Sequence, residues 1–141
     1  MGYVLAPENL TAEFRKTHQF IVFAVNTPIQ WAITDFLKDR GSYVNLPDFY
    51  QQKRDYFNNA IKGSRFKIAP SSGTYFQLLD YSRISDEKEE EFAIRLTKEF
   101  KIASIPVSVF YHKKIENKVL RFCFAKGEDT MDKAAEILCR I

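Results

Sequence analysis

The sequence predicts an α/β fold, more closely an α+β sandwich in which helices pack on one small sheet. Three observations predict it: segments with apolar residues at helical spacing, short aromatic-rich runs bounded by glycine and proline, and the order in which the two kinds follow one another. The 141 residues are the size of one ordinary domain, and their apolar and aromatic content is enough to build a core.

The first run, GYVLAP, is strand-like and ends in proline. With nothing before it to pair with, it suggests a chain cut from something longer, and residues before Pro7 are expected to be disordered or to self-associate through an orphan edge. The segment ENLTAEFRKTHQFIVFA alternates charged residues with Leu10, Phe14, Phe20, Ile21 and Phe23, the pattern of a helix that becomes more buried as it proceeds. Pro28 can open a second helix with Asn26 or Thr27 as its cap, Ile29, Ile33, Phe36 and Leu37 as its stripe and Gly41 as its stop. A third helix is expected from Pro47 to Lys62, with Phe49, Tyr56, Ala60 and Ile61 inward.

Then the period changes. RFKIAP and GTYFQLLD read as two strands around the turn from Pro70 to Gly73. SDEKEEEFAIRLTKEFK returns to helix, with Phe92, Leu96 and Phe100 four apart and its acids crowding the first turns. That acidic run reads as a solvated helix start, not a binding surface. IASIPVSVFY, interrupted by Pro106, is an edge strand or a strand passing into a loop. HKKIENK is an exposed turn, VLRFCFAKGED supplies the last strand, and DTMDKAAEILCRI closes as a helix with Met131, Ala134, Ala135 and Leu138 on one face.

The net charge of +3 is spread along the chain, and no lysine or arginine block marks a nucleic-acid arm or membrane patch. Cys123 and Cys139 have neither metal-site nor disulfide-framework spacing and are expected to be reduced thiols. No apolar stretch reaches bilayer length and no signal-peptide core opens the chain, so a cytoplasmic location is expected. His18 and His112 are too few and too far apart to suggest a metal site. Glycine-rich phosphate loops, nucleophile elbows and zinc motifs are missing, and Ser71 to Thr74 reads as a tight turn.

Arg121 stands apart. It sits on a run with apolar residues on both faces, so its guanidinium either escapes at an edge or waits for an anion. Two readings stay open on the residues alone. One pairs it with a carboxylate of the chain or with solvent; the other has its planar fork receive a substrate carboxylate through two parallel charge-assisted hydrogen bonds.

GYVLAP, HQFIVFAVNTPIQWA, GTYFQLLD, IASIPVSVFY and LRFCFAK, in this order from Gly2 to near Ile141, resemble the pyridoxal-phosphate-dependent aminotransferases of class I/II, fold type I. Within that family the chain is most similar to the methionine and kynurenine (glutamine/aromatic) branch. The resemblance implies a small domain of aminotransferase type over residues 8–141, with residues 1–7 a residual strand of a large domain. It implies that Arg121 binds the α-carboxylate of an amino-acid substrate, and that Phe23 lies near the substrate pocket of the neighbouring subunit. Where some relatives carry histidine next to that phenylalanine, this chain has Ala24.

The family's cofactor lysine and the groups that hold the pyridine ring belong to motifs upstream of GY. The resemblance therefore implies a C-terminal portion of the enzyme, inactive alone, with no cofactor expected on this chain and pyridoxal 5'-phosphate expected in the full-length homodimer. Lys126 matches a surface position. The expected reaction of the whole enzyme is ping-pong transfer of an amino group between an amino acid and a 2-oxo acid.

Two readings from other classes compete. A small α/β binding module finds support in mild positive charge and aromatic strands, yet LRFCFAKG lacks the spacing with which an RNA-recognition strand presents stacking rings. A dimerisation module without catalysis would place Arg121 in an internal ion pair.

Overall fold

The computed structural model describes residues 2–113 and 115–141, and its chain divides into two compact units, Met1–Asn45 and Leu46–Ile141. The expected segment 1–7 and the polar turn over HKKIENK each include one residue, Met1 and Lys114, outside the described ones.

The first unit is helical. Residues 2–7 are exposed and form neither helix nor strand, since a strand exists only in a ladder and no described residue pairs with them. Helix α1 spans Glu8–Ile21 and α2 spans Thr27–Phe36. The Asn26 side chain caps α2 by accepting the Ile29 N–H at 3.2 Å, with Pro28 in the first turn. Gly41 does not stop α2, which ends at Phe36. It opens the short helix α3, Gly41–Val44, held there by its N–H donating to Asp39 Oδ1 at 3.1 Å. None of these three helices buries a residue, so the deepening burial expected along α1 is not realised. No helix among the described residues is long and apolar enough to cross a membrane.

The second unit carries the sheet and the core. Helix α4, Leu46–Ala60, leads to β1, Lys67–Ile68, and β2, Phe76–Asp80. Helix α5, Glu89–Phe100, is followed by β3, Ile105–Pro106, a 3₁₀ turn at Ser108–Phe110, β4, Val119–Cys123, and α6, Glu128–Arg140. The four strands form one antiparallel sheet in the order β1-β2-β4-β3. The expected class, helices packed on a small sheet, is what the chain adopts.

Register explains which side of the sheet is dry. Gln77 faces Phe122 and Leu79 faces Leu120 across β2 and β4, and all four are buried. On that face Phe57, Ile61, Phe92, Leu96, Met131, Ala135 and Leu138 complete the core from α4, α5 and α6 and their flanks. Each fully buried Leu or Phe contributes about 1.5–3 kcal/mol. Helix α4 and its flank turn the expected Tyr56, Ala60 and Ile61 toward the core but depart from the expected set at two positions. Phe57 is its buried residue and Phe49 is exposed, because the face toward α6 is set by Phe57 and Ile61.

The other face is half-open: Leu78 and Ile105 are exposed, while Val119, Arg121 and Cys123 are half-buried. β4 is thus a central strand covered on one side only. Cys123 and Cys139 are free thiols.

Candidate functional site

Arg121 occupies the middle of β4, opposite Leu78 of β2 on one flank and Ile105 of β3 on the other. Val119, Leu120, Phe122 and Cys123 around it suit a pleated, half-buried surface, and alternation puts Arg121 on the open face while Leu120 and Phe122 enter the core. Because its strand is central, the guanidinium has no sheet edge by which to leave.

Two aromatic rings hold it instead. Phe76 lies one diagonal step away on the same face of β2, and the Arg121 Cζ sits 4.1 Å from its ring centroid. Phe110, from the 3₁₀ turn between β3 and β4, brings a second ring to 4.7 Å. A cation over a ring face gains about 0.5–2 kcal/mol, but the π-cloud leaves the five guanidinium N–H donors without acceptors.

The polar atoms confirm that demand. Arg121 Nε is buried with no hydrogen-bond partner, and among the described residues no carboxylate lies within 4.0 Å of the guanidinium. A half-buried cation with its Nε shielded from water and no anion beside it contributes little to stability. It is a ready one for a ligand carboxylate, which a guanidinium grips through two parallel bonds.

A cavity of about 490 Å³ opens beside this residue, lined among others by Phe76, Ser104, Arg121, Met131 and Lys126. Ser104 Oγ is a second buried atom there without a partner. Lys126 is exposed, as expected of a surface position.

Phe23 belongs to the first unit. It follows α1 in a turn where its N–H donates to the His18 carbonyl at 3.2 Å, and its φ is 65°. A bulky side chain rarely adopts that left-handed conformation, which here ends α1, with the Val22 and Phe23 N–H groups both donating to the His18 carbonyl. The ring is 85% exposed, so packing within its own unit does not explain it.

Some contributors escaped the sequence reading. Phe76 could have been found from period-2 alternation once its strand was paired with β4, whereas Phe110 gave no signal from a loop. Glu89 is the exception to the expectation that the acidic run is solvated, since Asp86 and Glu91 are exposed and Glu87 and Glu90 half-buried. The Glu89 carboxylate is fully buried and accepts the backbone N–H of Ser108 at 2.7 Å, of Asn117 at 3.0 Å and of Val119 at 3.2 Å.

Titration is perturbed elsewhere on the unit. Burial, with Glu89 and Glu116 nearby, pushes the Tyr81 phenol well above its ordinary range, and its hydroxyl donates to the Glu87 carbonyl at 2.8 Å. Among the described residues no cluster of His, Cys, Asp and Glu could hold a metal ion.

Comparison with known proteins places these features in context. The model of the family described as aminotransferase class I and II matches residues 1–138. Methionine aminotransferase of Escherichia coli K12 is 48% identical over 139 residues, covering 98% of this chain and 36% of that protein. A kynurenine–oxoglutarate transaminase of Dictyostelium discoideum is 29% identical, covering 100% and 38%.

Among solved structures, an E. coli protein identified as a methionine aminotransferase superposes with a TM-score of 0.87 at 47% identity, covering 97% of this chain and 36% of that one. The N-succinyldiaminopimelate aminotransferase of Mycobacterium tuberculosis superposes with a TM-score of 0.83 at 28% identity, covering 96% and 36%. The chain spans a little over a third of the length of these relatives.

Proposed function

The chain belongs to the aminotransferase class I and II family, and from that premise we propose that it supplies the substrate-carboxylate grip of a transaminase acting on amino acids and 2-oxo acids. The observation that carries this reading is the Arg121 guanidinium, held over Phe76 and Phe110 with a buried Nε that has no partner. A carboxylate completes it; a neutral group does not.

The proposal assigns residues 8–141 to the small domain and residues 1–7 to a strand shared with the large one. It assigns Phe23 to the substrate pocket across a homodimer interface. The left-handed turn at Phe23 and the exposure of Phe20, Phe23 and Trp31 support that assignment. The similarity to methionine and kynurenine transaminases favours sulfur-containing or aromatic amino acids as substrates, and the whole protein is proposed to work in the cytoplasm.

Family membership implies pyridoxal phosphate. The residues around Arg121 do not fit it as a resident group: the cavity lining holds Lys101, Lys126 and Lys133 but no carboxylate to keep a pyridine nitrogen protonated. We therefore assign the cofactor to the remainder of the whole protein and no step of its chemistry to these residues. Their part is to bind the carboxylate and orient the amino acid. Apolar rings on the guanidinium exclude water from that bond and strengthen it.

The test is Arg121→Lys in the whole protein. Lysine keeps the charge and loses the fork. If the proposal holds, kcat/KM for the amino acid falls about 10- to 100-fold, matching the ~1.5–3 kcal/mol of a charge-assisted hydrogen bond, while the melting temperature stays put. A lowered melting temperature with substrate affinity intact would make Arg121 a residue that serves the packing of the sheet and sink the grip.

A further inference from the structure

We propose, resting on the carboxylate grip of Arg121, that Glu89 is a positioning residue that sets this grip from the far side of the loop joining β3 to β4. Glu89 is the first residue of α5 and is 0% exposed. No cation lies within 4.0 Å of it among the described residues. What compensates the buried charge is backbone: Oε2 accepts from Ser108 N, and Oε1 accepts from Asn117 N and Val119 N. The helix N-terminus adds a favourable field.

The three donors are not a random set. Ser108 begins the 3₁₀ turn that carries Phe110, and Asn117 and Val119 lie where the chain re-enters β4. One carboxylate thus pins both ends of a single loop. A second acid repeats the link in reverse, the Glu89 N–H donating to Glu116 Oε2 at 3.0 Å.

Phe110 needs such a pin. Its ring is 60% exposed, so core packing does not hold it over Arg121. Its position rests on the turn backbone: Phe110 N to Val107 O at 3.1 Å, Val107 N to Val119 O at 3.4 Å, and Ser108 N to Glu89. Releasing Glu89 lets the ring leave the guanidinium, readmits water and loosens the orientation of the fork. The effect travels from Glu89 through backbone to Phe110 and then to Arg121, without Glu89 touching substrate.

The experiment compares Glu89→Gln, Arg121→Lys and the double variant in the whole protein, and adds amide exchange on the 141-residue chain. Glutamine has the shape of glutamate but one acceptor oxygen, so its NH₂ opposes the donors at one end of the loop. The expected result is a KM for the amino acid raised about 3- to 30-fold with a smaller change in kcat. The double variant then loses less than the product of the two single losses, because both act on one grip. In the chain itself the Ser108, Asn117 and Val119 amides are expected to exchange slowly. In the variant they speed up while Leu79 and Leu120 do not.

A lowered melting temperature with KM unchanged, or losses that simply multiply, would overturn the positioning role while leaving the Arg121 grip standing. If Arg121→Lys has no effect on KM, the grip itself fails and the role of Glu89 falls with it. Should Glu89→Gln not fold, Glu89→Asp and exchange on the unaltered chain decide. Ser108, Asn117 and Val119 amides exchanging as fast as that of Lys113 would overturn the pin.

Discussion

The guanidinium of Arg121 on β4 lies over the ring of Phe76 on β2, 4.1 Å from its centroid. Neither residue faces the other in the ladder: Phe76 is opposite Cys123, and Arg121 is opposite Leu78. The contact is diagonal, a separation that aromatic and long side chains such as these two can span.

Phe76→Leu is expected to weaken carboxylate binding about 3- to 10-fold through loss of the cation–π contact, with little change in stability because the ring is only half-buried. Kinetics of the whole protein beside a melting curve of the chain check it. Wild-type KM in the variant would mean that Phe110 alone holds the guanidinium.

Gln77 is 0% exposed and uses its whole amide, Nε2 donating to the Ala69 carbonyl at 2.8 Å and to the Leu78 carbonyl at 3.0 Å, Oε1 accepting from the Ser71 N–H at 3.3 Å. Gln77→Leu leaves those backbone groups without partners, at about 1–3 kcal/mol. Denaturant titration should show a lower midpoint with an unchanged slope. A midpoint that stays in place would show that water replaces the amide.

The Glu87 and Arg95 pair titrates. Hydrogen bonds from Arg95, two of them at 2.9 and 2.6 Å, and from Ser85 hold the Glu87 carboxyl below its ordinary value of 4.5. A depressed folded value means stability that is present above the unfolded value and lost as pH falls through the folded one. Glu87→Gln is therefore expected to melt lower than the native chain at about pH 7, with the gap closing as the pH falls below the carboxyl's ordinary value. A gap that persists in acid would mean that the pair acts through packing, not charge.

The sequence was legible wherever local physics decides. The Phe92 and Leu96 stripe of α5, the Met131, Ala135 and Leu138 face of α6, the Asn26 cap and the broken strand at Pro106 all follow from period, capping or a missing N–H, and each stands as expected. Arg121 was conspicuous for the same reason, a charge on an apolar strand.

What local physics leaves open is which face of an element meets another. Phe57 joined the expected Tyr56, Ala60 and Ile61 on the inward side of α4 while Phe49 stayed out, because α6 packs on that side. Gly41 began a helix where a stop was expected, because Asp39 supplied an acceptor for its N–H. Glu89 looked like its solvated neighbours and became buried, since three backbone donors from a loop distant in sequence converge on it.

The sequence by itself thus determined the helix-on-sheet class, most of its elements and the one charge that stands out on an apolar strand. Only the tertiary structure decided that Arg121 sits on a central strand, under Phe76 and Phe110, with its Nε unmet. The physical reason is that periodicity and capping are properties of neighbours along the chain. The pairing register and the convergence of donors on one buried carboxylate are set by groups far apart in sequence, and only packing brings them together.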